Sequence, residues 1–328
     1  MGKLSKHIFS LLLCMISVFM LLPVHASAAG TIDTGRDVSL TIRYEHDKKP
    51  VSGVQFDLYR VADVNVNAKF TLAGDFKDYP VSVSDLTADE WKKLAETLSA
   101  YAGRDKLTPL DSGETDADGK LSFPDQQTGL KAGLYLVTGH QLVQDGYTYT
   151  TEPFLVSLPN QDTAGNTWTY DVTVTPKYTR TENPPEPDGR TITRKVLKVW
   201  KGDDRKSRPE EVSIQLLKDG TVYDTVKLSA ADNWRHTWKE LPEYNEDGSR
   251  VVWSVVEKET GNYTVLIDRE GITFTVTNTC PDKDNTKKSD SGAGSKKLPQ
   301  TGVLWWPVPV LVCAGLVFLI VGRLNRKK

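Results

Sequence analysis

Sulfur is scarce in this chain of 328 residues: it holds three cysteines, Cys14, Cys280 and Cys313. Two lie in apolar end segments, so a chain trimmed of both ends keeps Cys280 alone and can form no internal disulfide. Cys280 is then either an incidental thiol or one half of a link between chains. Histidine is equally sparse. Between the ends only His46, His140 and His236 occur, scattered and with no cysteine at ligand spacing, so neither a metal nor a cofactor is expected. No Ser-His-Asp order and no glycine-rich phosphate loop appears, which leaves a tethered enzyme without a catalytic constellation. Asp116-x-Asp118-Gly119 lacks the remaining ligands of a calcium loop and reads as a hairpin turn. Asp203 and Asp204 sit in a turn and read as solvated charge.

Long apolar runs are missing everywhere except at the two ends. Lys3 and Lys6 precede an apolar run from Ile8 to Val24, and Ala26-Ser27-Ala28 supplies small residues for cleavage, so residues 1–29 read as a signal peptide. At the other end Val303–Val321 is an apolar stretch just long enough for a helix to cross a bilayer at 1.5 Å per residue. Arg323, Arg326, Lys327 and Lys328 hold its end on the cytoplasmic side and leave everything before Leu298 outside. The chain is therefore expected to be exported and trimmed to about Ala29–Thr301. Its net charge of −2 becomes −8 once the six basic residues of the ends are removed, and an acidic exported chain without basic stripes argues against nucleic acid. An exported chain that resists force without disulfides needs another staple.

The mature length suggests two domains. Thr181–Arg190 (TENPPEPDGR) is rich in proline and acid and reads as a stiff connector, with residues 181–190 as the linker. Residues 280–297 are almost free of apolar side chains and read as a disordered spacer, and 298–328 form the terminal segment. Domain one, residues 30–180, is mostly strand-like: Leu40, Ile42 and Tyr44 alternate with polar residues, Val54, Phe56 and Leu58 follow, and Thr115–Phe123 reads as a hairpin around Asp118-Gly119. One helix interrupts it. Thr87 and Glu90 form a capping box, Leu86 supplies a staple, Trp91, Leu94, Leu98 and Tyr101 share a packing face, and Gly103 ends it. Domain two, residues 191–279, is all strand, with turns at Asp219-Gly220 and Asn245–Gly248, and its first and last strands should be neighbours. The fold class is all-β: two tandem antiparallel β-sandwiches, Ig-like or prealbumin-like, the first with an inserted α-helix.

Three resemblances rest on these residues. The order Leu298-Pro299-Gln300-Thr301-Gly302, apolar stretch, basic tail resembles the cell-wall sorting signal of Gram-positive surface proteins. In that family a membrane sortase attacks the Thr–Gly carbonyl, here between Thr301 and Gly302, and passes the acyl group to an amine. Lys198–Trp200 (KVW), Asn233–Gly248, Ser254–Glu259 (SVVEKE) and Val276–Thr279 (VTNT) make domain two similar to a Cna B-type domain, the stalk module of collagen adhesins and pilins. The resemblance implies an isopeptide bond between Lys198 and Asn278, assisted by Glu257 as proton shuttle. The chemistry is consistent: Lys198 stands in the apolar opening VLKVW, where burial lowers an amine pKa and would raise that of a carboxyl. Domain one departs from this pattern, offering Tyr44, Gly139 and Pro176 at the three places, so no such bond is expected there.

Trp168–Lys177 (WTYDVTVTPK) resembles the pilin motif of backbone pilins, through Trp168, Val172, Val174, Pro176 and Lys177, with Thr175 in place of the usual tyrosine. The implied role of Lys177 is to accept the sortase-bound threonine of an incoming subunit. Pro176 should stop strand pairing and leave Lys177 at the domain end, beside the linker. Together these imply the structural subunit of a sortase-assembled pilus, covalently anchored to the cell wall after a transient membrane intermediate. The implied partners are a class C (pilin) sortase and a housekeeping sortase, identical subunits, accessory pilins and peptidoglycan. The alternative is a wall-anchored adhesin or basal pilin whose domain one binds a host surface protein.

Overall fold

The computed structural model describes residues 30–126, 129–162, 167–183, 189–203 and 208–280. The signal peptide, the spacer 281–297, the LPQTG pentapeptide and the apolar segment lie outside the described residues. Among the described residues no helix is long and apolar enough to cross a membrane.

In domain one the principal strands are, in chain order, β1 (Ser39–Arg43), β2 (Gln55–Val64), β3 (Asp111–Glu114), β4 (Lys120–Phe123), β5 (Gly133–Gly139), β6 (Tyr147–Thr151), β7 (Phe154–Leu158), β8 (Asp171–Val174) and β9 (Tyr178–Glu182). β1 lies between β8, to which it is parallel, and β4, to which it is antiparallel. The facing sheet runs β7-β5-β2, with β3 also paired to β2. Between these sheets Leu40, Ile42, Tyr44, Phe56, Phe123, Tyr135 and Val137 form the main core. β5 is buried on both faces: Tyr135 and Val137 point into that core, while Leu134 and Leu136 point to a second one under the helix α1 (Ala88–Asp105). A strand covered on both sides reads as a continuous apolar run, as GLYLV does.

Helix α1 begins as its capping box predicts. The Thr87 hydroxyl accepts from the Glu90 amide at 3.2 Å, and the Glu90 carboxylate accepts from the Thr87 amide at 2.9 Å. Its end differs from the expectation. The helix runs two residues past Gly103 and closes on Lys106, in the left-handed conformation at φ 52°. The expected hairpin around Asp118-Gly119 is also corrected. The turn exists, with the Asp116 carboxylate accepting from the amides of Asp118 and Lys120 at 2.9 Å each, but β3 pairs with β2 and β4 with β1. It is a corner between two sheets, because both flanking strands find longer partners than each other.

Domain two continues with β10 (Thr191–Lys201), β11 (Glu211–Lys218), β12 (Thr221–Ser229), β13 (Arg235–Pro242), β14 (Trp253–Glu257), β15 (Thr264–Glu270) and β16 (Thr273–Thr279). One sheet is ordered β13-β10-β16-β15 and the other β12-β11-β14. β11 and β12 meet through a two-residue turn at Asp219 and Gly220, both at positive φ, as the Asp-Gly pair predicts. The first and last strands, β10 and β16, are direct neighbours and parallel, the one such pair among the described residues of this domain. Seven strands with six reversals return the chain in its starting direction, which makes that pairing parallel.

The domains share an interface built mainly by α1. Ala100 and Tyr101 belong to the core of domain two. β15 is the edge of its sheet, and its outward amides are capped by domain one: Val265 N–H donates to Pro80 O and Ile267 N–H to Thr97 Oγ1, each at 2.7 Å. Lys93 bridges Asp268 at 3.3 Å. Gly103 lets the helix backbone pack against the β11–β12 turn, since a Cβ there would lie 3.1 Å from Gly220 Cα. The glycine read from sequence as a helix stop thus serves close packing.

Candidate functional site

The apolar alternation of β16 places Phe274, Val276 and Asn278 on the core side, and that of β10 places Val196 and Lys198 there. Glu257, at the end of β14, enters from the opposite sheet. Lys198, Glu257 and Asn278 are 3%, 1% and 0% exposed, so the core of domain two holds an amine, a carboxyl and a carboxamide with essentially no water. Lys198 pairs in register with Val276, one inward position short of Asn278, which sets its side chain diagonally toward the carboxamide. Lys198 Nζ lies 3.5 Å from Glu257 Oε2, and Asn278 Nδ2 donates to Glu257 Oε1 at 2.9 Å. The three residues named from sequence are therefore brought together.

The surroundings disfavour charge on either partner. Burial lowers the Lys198 pKa to about 8, against the pull of Glu257, and burial raises that of Glu257, against the pull of Lys198 and Asn278. Both shifts favour the pair as neutral amine and protonated acid. The Lys198 amine donates only long bonds, 3.2 Å to Val199 O and 3.3 Å to Val276 O, and sits 4.2 Å from the centre of the Trp200 ring. Glu257 Oε2 and Asn278 Oδ1 have no hydrogen-bond partner, an uncommon state for buried polar oxygens. Which end of the Asn278 amide is oxygen is an assignment; turned over, its oxygen would face Glu257 and accept a proton from the acid.

Trp200, whose place beside the amine the sequence reading missed, is packed edge-on by Trp234 and Tyr263. Arg208 lies over the Trp200 ring and holds Asp203 through two bonds, at 2.5 and 2.9 Å. Asp203, with a side chain 2% exposed, is thus a buried partner of Arg208 and not solvated charge; the arginine lowers its pKa. The arginine lies five positions further on, but nothing in the turn sequence selects which neighbouring basic residue folds onto the acid.

In domain one the corresponding places hold no amine. Tyr44 is buried and its hydroxyl accepts from Thr151 Oγ1 at 3.0 Å, while a Cβ on Gly139 would lie 2.8 Å from Thr151 Cβ. Of the residues resembling a pilin motif, Val172 and Pro176 are buried, Trp168 and Val174 half-buried, and Lys177 exposed. The position of Lys177 differs from the expectation. β8 ends at Val174, but after three residues the chain re-enters a sheet as β9, paired with β6 through Glu182. Lys177 therefore stands in the break between β8 and β9, where its carbonyl accepts from the Glu152 amide at 2.9 Å. Pro176 ends pairing with β1 only; the strand then crosses to another sheet, two residues into the stretch read as linker. Among the described residues no group of three His, Cys, Asp or Glu could hold a metal. Leu298, Pro299, Gln300, Thr301 and Gly302 lie outside the described residues.

Comparison with known proteins agrees with both domains. Residues 23–179 match the family model "Gram-positive pilin subunit D1, N-terminal domain", and residues 194–279 match "Cna protein B-type domain". The chain is 37% identical over 78 residues to a collagen adhesin of Staphylococcus aureus, a match that takes in 23% of this chain and only 6% of that protein's length. Among solved structures it is similar to the full-length major pilin SpaD of Corynebacterium diphtheriae, at 20% identity and TM-score 0.27, covering 76% of this chain and 65% of that one. It is also similar to the shaft pilin spaA of Lactobacillus rhamnosus GG, at 15% identity and TM-score 0.25, covering 75% and 99%. With a pilin D1 domain followed by a Cna B-type domain, the chain belongs to the Gram-positive pilins that carry a Cna B-type domain, structural proteins associated with the cell-wall surface.

Proposed function

We propose that this chain is the structural subunit of a sortase-assembled, covalently polymerised pilus on a Gram-positive cell wall, and that domain two locks itself through an isopeptide bond between Lys198 and Asn278. The observation that carries the second part is the meeting of Lys198, Glu257 and Asn278 inside an otherwise apolar core. A charged Lys198 has no lone pair, so the reactive pair is neutral amine and protonated Glu257, the state that burial favours. The amine attacks the Asn278 carboxamide carbon while Glu257 gives its proton to the carbonyl oxygen. Glu257 then takes a proton from the attacking nitrogen and passes it to the departing nitrogen. The C–Nδ2 bond breaks, Glu257 takes back the proton from the carbonyl oxygen, a neutral amide to Lys198 Nζ forms, and one ammonia leaves. No cofactor or external enzyme takes part, and the chain is a substrate of sortases and not an enzyme acting on other molecules.

Polymerisation rests on the LPQTG pentapeptide of the sequence and on the exposure of Lys177. In this reading a class C sortase cleaves between Thr301 and Gly302 and transfers the threonine acyl group to Lys177 of the next subunit. A housekeeping sortase makes the last transfer to peptidoglycan, and accessory pilins join by the same chemistry. Export under a signal peptide and a transient membrane intermediate precede these steps. The test is an immunoblot of wall extracts on denaturing gels: a high-mass ladder is expected, and Lys177→Ala should collapse it without altering the fold of the secreted subunit.

The likeness to a collagen adhesin favours a second reading, a wall-anchored adhesin or basal pilin that contacts a host surface protein. It predicts one released band, unchanged by Lys177→Ala.

A further inference from the structure

Domain one reaches into the isopeptide site of domain two at two backbone points. The Tyr101 hydroxyl, buried on α1, donates to the backbone carbonyl of Glu257 at 3.0 Å. That carbonyl belongs to the last residue of β14, an edge strand whose outer side has no strand beside it. Val265, in register with Asn278, donates its amide to Pro80 O at 2.7 Å. One domain therefore holds the strand that carries the acid and the strand paired with the carboxamide. The Tyr101 ring is fixed in turn: it stacks on Tyr79 with centroids 5.0 Å apart, Tyr79 donates to Asp105, and Arg104 lies over the Tyr101 face at 4.8 Å.

We propose that Tyr101 is a positioning residue for the Lys198–Asn278 reaction, so that docking of domain one prepares domain two to cross-link. The proposal rests on the isopeptide reading above. Tyr101 touches none of the reacting atoms; it fixes the backbone from which the Glu257 carboxyl is aimed, and a small misplacement of a proton donor is costly in rate. The consequence is an order of events: the second domain completes its bond after the first has folded against it.

The test follows bond formation in the newly translated chain from Gly30 onward, quenched in acid at intervals and weighed for loss of ammonia. Three chains are compared: unaltered, Tyr101→Phe, which keeps the ring and removes the hydroxyl, and Thr97→Val, which removes another buried hydrogen bond of the same interface. Melting temperatures of both variants in a Lys198→Met background give the stability each loses. Tyr101→Phe is expected to slow the reaction about tenfold, the factor a single buried hydrogen bond carries, and to reach the same final mass. Thr97→Val, at a comparable loss of melting temperature, should slow it far less. Equal slowing by the two variants, or none by Tyr101→Phe, overturns the positioning role and leaves the isopeptide reading intact. An unaltered chain that never loses ammonia overturns both.

Discussion

Replacing Lys198 by methionine removes the nucleophile while nearly conserving its volume in the core. The bond would join residues 198 and 278 and so close a loop of about eighty residues, worth about 4.5 kcal/mol by the loop-entropy relation used for disulfides. For a domain of about ninety residues, each kcal/mol moves the melting temperature by roughly 4–8 °C, so domain two should melt about 20–35 °C lower in the variant. The paired assays are intact mass and differential scanning calorimetry on the secreted chain. The unaltered protein should weigh about 17 Da less than its sequence, the ammonia released when the amine displaces the amide nitrogen, and Lys198→Met should show no deficit. A deficit in the unaltered chain together with melting temperatures within about 5 °C of each other would refute the loop-entropy argument. A full-mass unaltered chain would refute the chemistry itself.

Two further outcomes follow from the same geometry. Bond formation should have a bell-shaped pH profile, since the reactive state holds one proton on the pair. It is lost on the acid side when Lys198 is protonated beside a protonated Glu257, and on the alkaline side when Glu257 ionises. With the Lys198 pKa lowered to about 8 and the Glu257 pKa raised above its ordinary 4.5, the maximum lies between those values; a rate still climbing above pH 9 would contradict it. At the interface, Gly103→Leu drives a side chain against the Gly220 backbone and should cost about 1–3 kcal/mol, read as a lower melting temperature with the mass deficit retained. A melting temperature equal to that of the unaltered chain would show that the close approach is not needed.

The two-domain β architecture was legible because it rests on local signals. Alternation in SLTIR and TFTVTNT, the Asp219-Gly220 turn and the Thr87–Glu90 capping box each depend on a few neighbouring residues, and the structure bears them out. Gly103, Asp203 and the turn at Asp118-Gly119 were misread for one reason. Each has a simple local reading that another contact overrides: a helix that continues because Lys106 can close it, an arginine five residues on that folds onto an acid, and two strands that prefer distant partners.

Lys198 stood out because a charged residue in the apolar opening VLKVW is costly without a partner, while Glu257 and Asn278 were named through the resemblance to a Cna B-type domain. Tyr101 could be named by neither route. On its own helix it is one more aromatic of a packing face, and its hydroxyl acquires a role only when the second domain sets the Glu257 carbonyl 3.0 Å away. Sequence alone determined which strands form and which side chains point inward, since these follow from short-range periodicity, and its resemblance to a Cna B-type domain named the groups that could react. Tertiary structure decided which sheet each strand joins, where Lys177 stands, and that one domain grips the reaction site of the other. Those outcomes depend on contacts between residues tens of positions apart within a domain and more than 150 apart between domains, whose pairing no local pattern encodes.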